Sequence, residues 1–456
     1  MTQPLSNRSW ESRDLECHFH GFSDIETLRK SGPVVIERGE GIRVFDTNGK
    51  SYLEANSGLW NYAAGFSHPE LIEVAQAQYA KLPGYHAFFG RVSDAAVELT
   101  ERVIDVSPFS SGKVFFTNSG SEANDTAVKM LWMIHSGSGQ PERRKIISRV
   151  NGYHGVTVVA ASMTGKPYND VFGLPLAGFL HADCPHYWRY AEAGESEAAF
   201  TKRMASNLES LIIAEGAETI AGFFAEPVQG AGGVIIPSAG YFDAIQPILA
   251  KYDIPLVADE VITGFGRTGE LWGSVTYNIK PDIIIASKCI TAGYFPMGAV
   301  ILNEAMSQRL NAVSAAAEEF PHGFTTAGHP VGCAIANKAI DLIVHGGLLE
   351  NVRAVAPHFH NCLARYQDHP YIGEVRGIGL MAALEVVRDK QSKAPFDSQL
   401  GISEEIANAA LAQGLICRPL GQSIVLCPPF IITPDEIDEL FERLDRALDS
   451  AFQKLD

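Results

Sequence analysis

The chain lacks the cysteine pattern of a stapled scaffold or a zinc cluster. Its seven cysteines are odd in number and scattered, and none stands in a C-x-x-C pair. It lacks an apolar run of the roughly 20 residues that a membrane-spanning helix needs. Its first residues, MTQPLSNRSWESRDLE, are polar and contain no apolar signal core. Dense Lys/Arg runs are missing, and a net charge of −17 disfavours a nucleic-acid surface. Repeats and low-complexity tracts are missing too. These absences point to a globular protein of a reducing cytoplasm, with neither nucleic acid nor membrane as partner and no metal.

What is there is ordinary in composition and long. Of 456 residues, 46 % are apolar and 20 % charged, and that length exceeds one ordinary core. From about residue 113, short apolar runs rich in β-branched residues recur at 113–117, 145–149, 221–225, 254–258, 282–286 and 298–302. They lack strict alternation, as strands buried on both faces do. Helical patterns at 122–135 and 200–215 lie between them. The expected class is α/β, a mainly parallel sheet with helices on both faces. The run 156–161 is too short for periodicity to separate strand from helix. Beyond about residue 336 the pattern changes to that of a smaller α+β domain. Residues 376–385 read as a strand, Ser403 as the cap of a helix ending at Gly414, LICRPLGQSIVLCPPF as a hairpin, and Thr433-Pro434-Asp435-Glu436 as a helix start. The expected division is 1–70 packing on the small domain, 71–335 as the large domain and 336–456 as the small one.

Three pieces carry candidate chemistry. In VFFTNSGSEANDTAVKM a strand meets Ser119-Gly120-Ser121 and then a helix. A small-residue turn at a helix N-terminus offers free N–H groups to an anion; the same turn also occurs as a plain serine cap. In IPLVADEVITGFGRTG, Asp259 ends an apolar strand, at the sheet edge where ligands of open α/β sheets bind. The same piece matches G-x-G-x-x-G from Gly264 to Gly269. The adjoining segment, ELWGSVTYNIKPD, has no convincing helix to receive a pyrophosphate, so a nicotinamide enzyme is disfavoured. In PDIIIASKCITAGYFPMGAV, Lys288 comes after another apolar strand. Such a lysine either snorkels to water or is a desolvated amine able to form a Schiff base. Anion turn, carboxylate and amine at one sheet edge are what a phosphorylated pyridine aldehyde requires, with an aromatic such as Tyr153 against its ring.

The segments TNSGSEAND, NGYHG, EPVQGAGG, DEVITGFGRTG, SKCITAGYFPMGAV and FTTAGHP together resemble the motifs of class III pyridoxal-phosphate aminotransferases, over nearly the whole chain. The similarity is greatest to the ω-transaminases acting between an amine and pyruvate. The resemblance implies the type I fold, pyridoxal 5'-phosphate as cofactor and a homodimer. It implies that Lys288 holds the cofactor's aldehyde and shuttles a proton, and that Asp259 faces the pyridine nitrogen. It places Tyr153 and His154 at the ring, Ser119, Gly120 and Ser121 at the phosphate, and Glu226 and Ile262 at further cofactor contacts. Thr325 would reach the phosphate of the partner subunit's cofactor.

Relatives acting on ornithine, GABA and acetylornithine tend to carry Gln and Glu where this chain has Ile262 and Ala231, and in them that Glu pairs with a substrate-binding Arg. Here a fixed gate of that kind is not expected. Arg418, in LICRPLGQ, stands where amine–pyruvate relatives swing an arginine in for a carboxylate and out for an apolar group; a solvated hairpin charge is the alternative. Phe22, Trp60, Phe88 and Phe89 match pocket-lining positions, and aromatic walls suit an apolar amine. The expectation is an amine or ω-amino acid:pyruvate aminotransferase with ping-pong chemistry. A diamine or β-alanine transaminase, or an aminomutase of the same fold, is the alternative.

Overall fold

The computed structural model describes residues 8–453. Its centre is a seven-stranded sheet in the order Gly112–Thr117, Gly298–Asn303, Ile283–Ala286, Leu256–Asp259, Ile220–Ala225, Lys145–Arg149 and Phe179–Ala182. The strand Gly298–Asn303 is antiparallel to both its neighbours, and every other pairing is parallel. Six strands therefore point their C-terminal ends to one edge. The β-branched runs are buried because helices cover both faces: Ile283 and Ile285 pack into one apolar cluster and Ile284 into another. The ambiguous run belongs to a helix, Val158–Met163.

Two four-stranded sheets flank this layer. The N-terminal strands Ile36–Glu40, Arg43–Asp46 and Ser51–Glu54 form one with Leu415–Ile416, which runs parallel to Ser51–Glu54. A distant C-terminal strand thus completes the N-terminal hairpins, which alone would be marginal. The other sheet holds Ile372–Ile378, Met381–Val386, Ser423–Leu426 and Arg418–Leu420. The helix Pro330–Val344 runs unbroken through the boundary placed between 335 and 336.

Two local expectations need correction. Residues 376–385 are not one strand but parts of two, turning at Gly379. Gly379 has φ +56°, and a Cβ there would lie 2.3 Å from the Arg267 carbonyl oxygen. The apolar flanks of that glycine hid the turn. Ser403 does not cap its helix: Ile402–Ala412 starts from Gly401, and the Ser403 hydroxyl is buried without a partner. The start at Thr433 is as expected, with Thr433 Oγ1 accepting from Glu436 N at 3.3 Å and Glu436 Oε2 from Thr433 N at 2.9 Å.

The G-x-G-x-x-G segment has a structural explanation. Arg267 within it is fully buried, lies over the Phe430 ring at 4.4 Å and donates to the Pro428 carbonyl at 2.6 Å. It anchors the large sheet's loop to the C-terminal part of the chain.

Candidate active site

At the C-terminal edge of the sheet lies a cavity of about 180 Å³. A larger, more open groove of about 650 Å³ lies at the opposite edge, where strands begin, beside Pro255, Leu256 and Asp282. Ligands of open α/β sheets bind at carboxyl ends, so the smaller cavity is the candidate.

Lys288 projects from the turn after Ile283–Ala286. Its backbone is left-handed, with φ +49°. That conformation costs a lysine about 1–3 kcal/mol and persists only where the surroundings enforce it. Desolvation lowers its ammonium below the usual lysine range, and the charge of Asp259 partly opposes this. This lysine does not snorkel to water; it is a desolvated amine inside a cavity.

Asp259, the last residue of its strand, is held by three N–H donors. His154 Nδ1 lies 2.7 Å and Asn124 Nδ2 2.9 Å from Oδ2, and Val261 N donates to Oδ1 at 3.1 Å. Asn124 also donates to the His154 carbonyl at 2.8 Å, tying the two loops together. Asn124 carries this architecture and was not singled out in the sequence. The available signal was an amide in the first turns of a largely apolar helix, Gly120–Gly137.

Gly120 and Ser121 open that helix and line the cavity. Ser119 does not line it: its hydroxyl accepts from Glu122 N at 3.2 Å as the cap. This leaves the first backbone N–H groups of the helix free for an anion. The approach is tight, since a Cβ at Gly120 would lie 2.9 Å from Val261 Cγ2. Tyr153 borders the cavity, and burial pushes its phenol up. Glu226 lines it too, but its carboxylate clamps backbone: Oε1 accepts from Tyr153 N at 2.9 Å and Oε2 from Gly230 N at 3.1 Å. Burial pushes the Glu226 carboxyl up. Ile262 completes the wall.

The substrate-pocket expectations divide. Arg418 lies on Arg418–Leu420, and its side chain makes no hydrogen bond or ion pair among the described residues. Its surroundings lower its pKa by desolvation, and Tyr153 and Tyr168 are the groups nearest in influence. Phe22 is exposed and sits edge-on to Tyr168, ring centres 5.6 Å apart. Trp60 is fully buried in a cluster with Ile262, Val425 and Cys427. It does not face the cavity; it packs over Gly230 together with Ile262. Ala231 sits on that same turn, outside the lining.

Phe88, Phe89 and Thr325 are not brought to Lys288 within the chain. Phe88 lines a separate cavity of about 220 Å³ with Phe115, His322 and Phe324, over the edge strand Gly112–Thr117. Phe89 is 87 % exposed. Thr325 is exposed beside Thr326, whose hydroxyl donates to Asn118 Oδ1 at 2.8 Å. Sequence spacing alone could not show that these residues pack on the outer edge of the sheet.

The sequence profile of the Aminotransferase class-III family matches residues 27–448. The chain belongs to that family. It is 60 % identical, with a TM-score of 0.98 and full coverage of both chains, to a solved pyridoxamine-phosphate-bound aminotransferase from Vibrio fluvialis. It is 61 % identical to an ω-aminotransferase from Paracoccus denitrificans, covering 98 % of this chain and 100 % of that one, at a TM-score of 0.98. Among curated relatives, a γ-aminobutyrate transaminase of Solanum lycopersicum is 43 % identical over 91 % of this chain and 81 % of its own. A vanillin aminotransferase of Capsicum chinense is 42 % identical over 91 % of each. As a class III aminotransferase, the protein has the type I fold, uses pyridoxal 5'-phosphate and acts on an amine and a keto acid. The donor set fits that cofactor: a desolvated amine, a fixed carboxylate and a tight helix N-terminus converge on one cavity.

Proposed function

We propose that this aminotransferase moves nitrogen from an amine or ω-amino acid to pyruvate, releasing alanine. Lys288 would hold the aldehyde carbon, Asp259 the ring nitrogen, Tyr153 the ring face, and Gly120 with Ser121 the phosphate. The cofactor, when bound, supplies an electron sink that acidifies the substrate carbon bearing nitrogen. The chain's own work is to place a proton carrier there. Once the incoming amine has displaced Lys288 from the aldehyde, its Nζ, whose charged form burial disfavours, would be placed to carry the proton from that carbon.

The observation that carries the acceptor assignment is the unpaired guanidinium of Arg418 among aromatic rings. A carboxylate entering such a pocket needs a cation, and a planar guanidinium takes it bidentately. We also propose a homodimer with shared sites, since Thr325, Phe88 and Phe89 lie together on the outside of the chain. A panel of amines and ω-amino acids assayed with pyruvate, reading alanine, tests the reaction. Turnover only with 2-oxoglutarate would reject pyruvate as the acceptor.

A further inference from the structure

The helix Leu348–Ala364 carries His358 and Cys362 four residues apart, one turn along the same face. The helix Pro434–Phe452 brings Asp438 against them. His358 Nε2 lies 2.8 Å from Asp438 Oδ1, and Cys362 Sγ lies 3.9 Å from the first atom and 3.7 Å from the second. None of the three lines the Lys288 cavity, and transamination gives them no work.

The triangle has the size of a metal face. Its edges define a point about 2.1 Å from all three donor atoms. Tetrahedral zinc, with bonds of about 2.3 Å to sulfur and about 2.1 Å to nitrogen and oxygen, sets sulfur edges of about 3.6 Å and a nitrogen–oxygen edge of about 3.4 Å. The largest adjustment needed is the opening of the His358–Asp438 hydrogen bond by about 0.6 Å. Both helices are rigid platforms, and packing between them sets the spacing of the donors.

We propose that His358, Cys362 and Asp438 form a site for a zinc-like divalent cation, with a fourth position open to water. Binding would staple the two helices. It replaces the histidine–aspartate hydrogen bond, with the Nε2 proton lost to solvent and the neutral ring left as its Nδ1–H tautomer, and it releases the thiol proton to solvent. Burial, together with Asp438, holds the free Cys362 thiol above its usual range, while Arg365 opposes this. Arg365 is close by, its Nε donating to the Cys362 carbonyl at 3.1 Å. A soft thiolate beside an imidazole favours zinc or cobalt over magnesium or calcium.

The test uses the pyridoxal-phosphate-loaded full chain without an affinity tag. Asp14→Ala is included throughout, because Asp14, His18 and His20 form a second cluster of possible ligands. Cobalt(II) titration is expected to show one ion per chain, with visible bands of tetrahedral type that zinc displaces. Cys362→Ser should weaken binding by at least about tenfold and leave transaminase activity unchanged. His358→Gln should weaken it as well. No saturable cobalt uptake, or uptake unaffected by Cys362→Ser, overturns the site.

Discussion

The Lys288 cavity and the Phe88–Thr325 surface differ in completeness. Around Lys288, the carboxylates are held by hydrogen bonds. Asp259 is held by three donors, Glu226 clamps two loops, and the lysine itself is strained and desolvated. The Phe89 ring stands in solvent, and Thr325 is exposed as well. A strained, fully supported site is what chemistry requires. An exposed aromatic patch is what an interface requires. The difference is what the proposed shared-site dimer would produce, with the reactive half of a site inside one chain and the other half presented outward to a partner.

The largest expected effect strikes the supported half. Lys288→Ala should abolish turnover while leaving circular dichroism unchanged, and borohydride should fix the cofactor of the wild type to one peptide containing Lys288. The apoenzyme gives an independent reading. Because the folded state lowers the lysine pKa below 10.5, the unfolded state binds more protons between the lowered value and 10.5. Stability therefore rises with pH across that window. The rise should be absent from Lys288→Ala, read as Tm against pH.

The outward half is tested by mixing two defects. Lys288→Ala protomers reassociated with Thr325→Asp protomers place one intact combination in each heterodimer if sites are shared. Random pairing then restores about a quarter of wild-type sites. No recovery would sink the shared-site reading, since unshared sites leave each combination defective.

Arg418 is half-buried near Tyr153 and Tyr168. Arg418→Ala should slow the keto-acid half-reaction by about 2–4 kcal/mol, the cost of leaving a buried carboxylate unpaired. The half-reaction with a carboxylate-free amine should change little. Single-turnover absorbance of each half separates them, and equal losses in both would make Arg418 structural.

Legibility in the sequence divides along the same line. Lys288, Asp259 and Gly120 were legible because each sits where a strand ends, and strand ends are visible in apolar runs. The tilt of Trp60 into the core and the retreat of Phe88 to the sheet edge were not. Both depend on packing between segments far apart in the chain, as Trp60 on Val425 and Phe88 on Phe324. Asn124 stayed hidden for a related reason. Its importance comes from its distance to Asp259, 135 residues away. The turn at Gly379 was missed because its demand for a left-handed backbone comes from a carbonyl of another segment.

The smallest effect concerns Phe89. Its ring is 87 % exposed in the single chain and touches His86 and Phe88 only loosely, with ring centres 6.3 Å and 5.8 Å away. A ring so placed contributes little to the fold of its own protomer, so Phe89→Ala should leave Tm nearly unchanged. If that ring instead walls the partner's pocket, losing it removes apolar contact from the bound amine. Selectivity of kcat/KM for an arylalkyl amine over a short alkyl amine should then fall by about 1–2 kcal/mol, the scale on which a hydrophobic pocket discriminates. The short amine, which does not reach the ring, serves as the internal reference. A loss that is equal for both amines would mean a weakened dimer, and dilution would deepen it. An unchanged ratio with unchanged dilution behaviour would leave Phe89 outside both roles and return the aromatic wall to Phe22 and Tyr168.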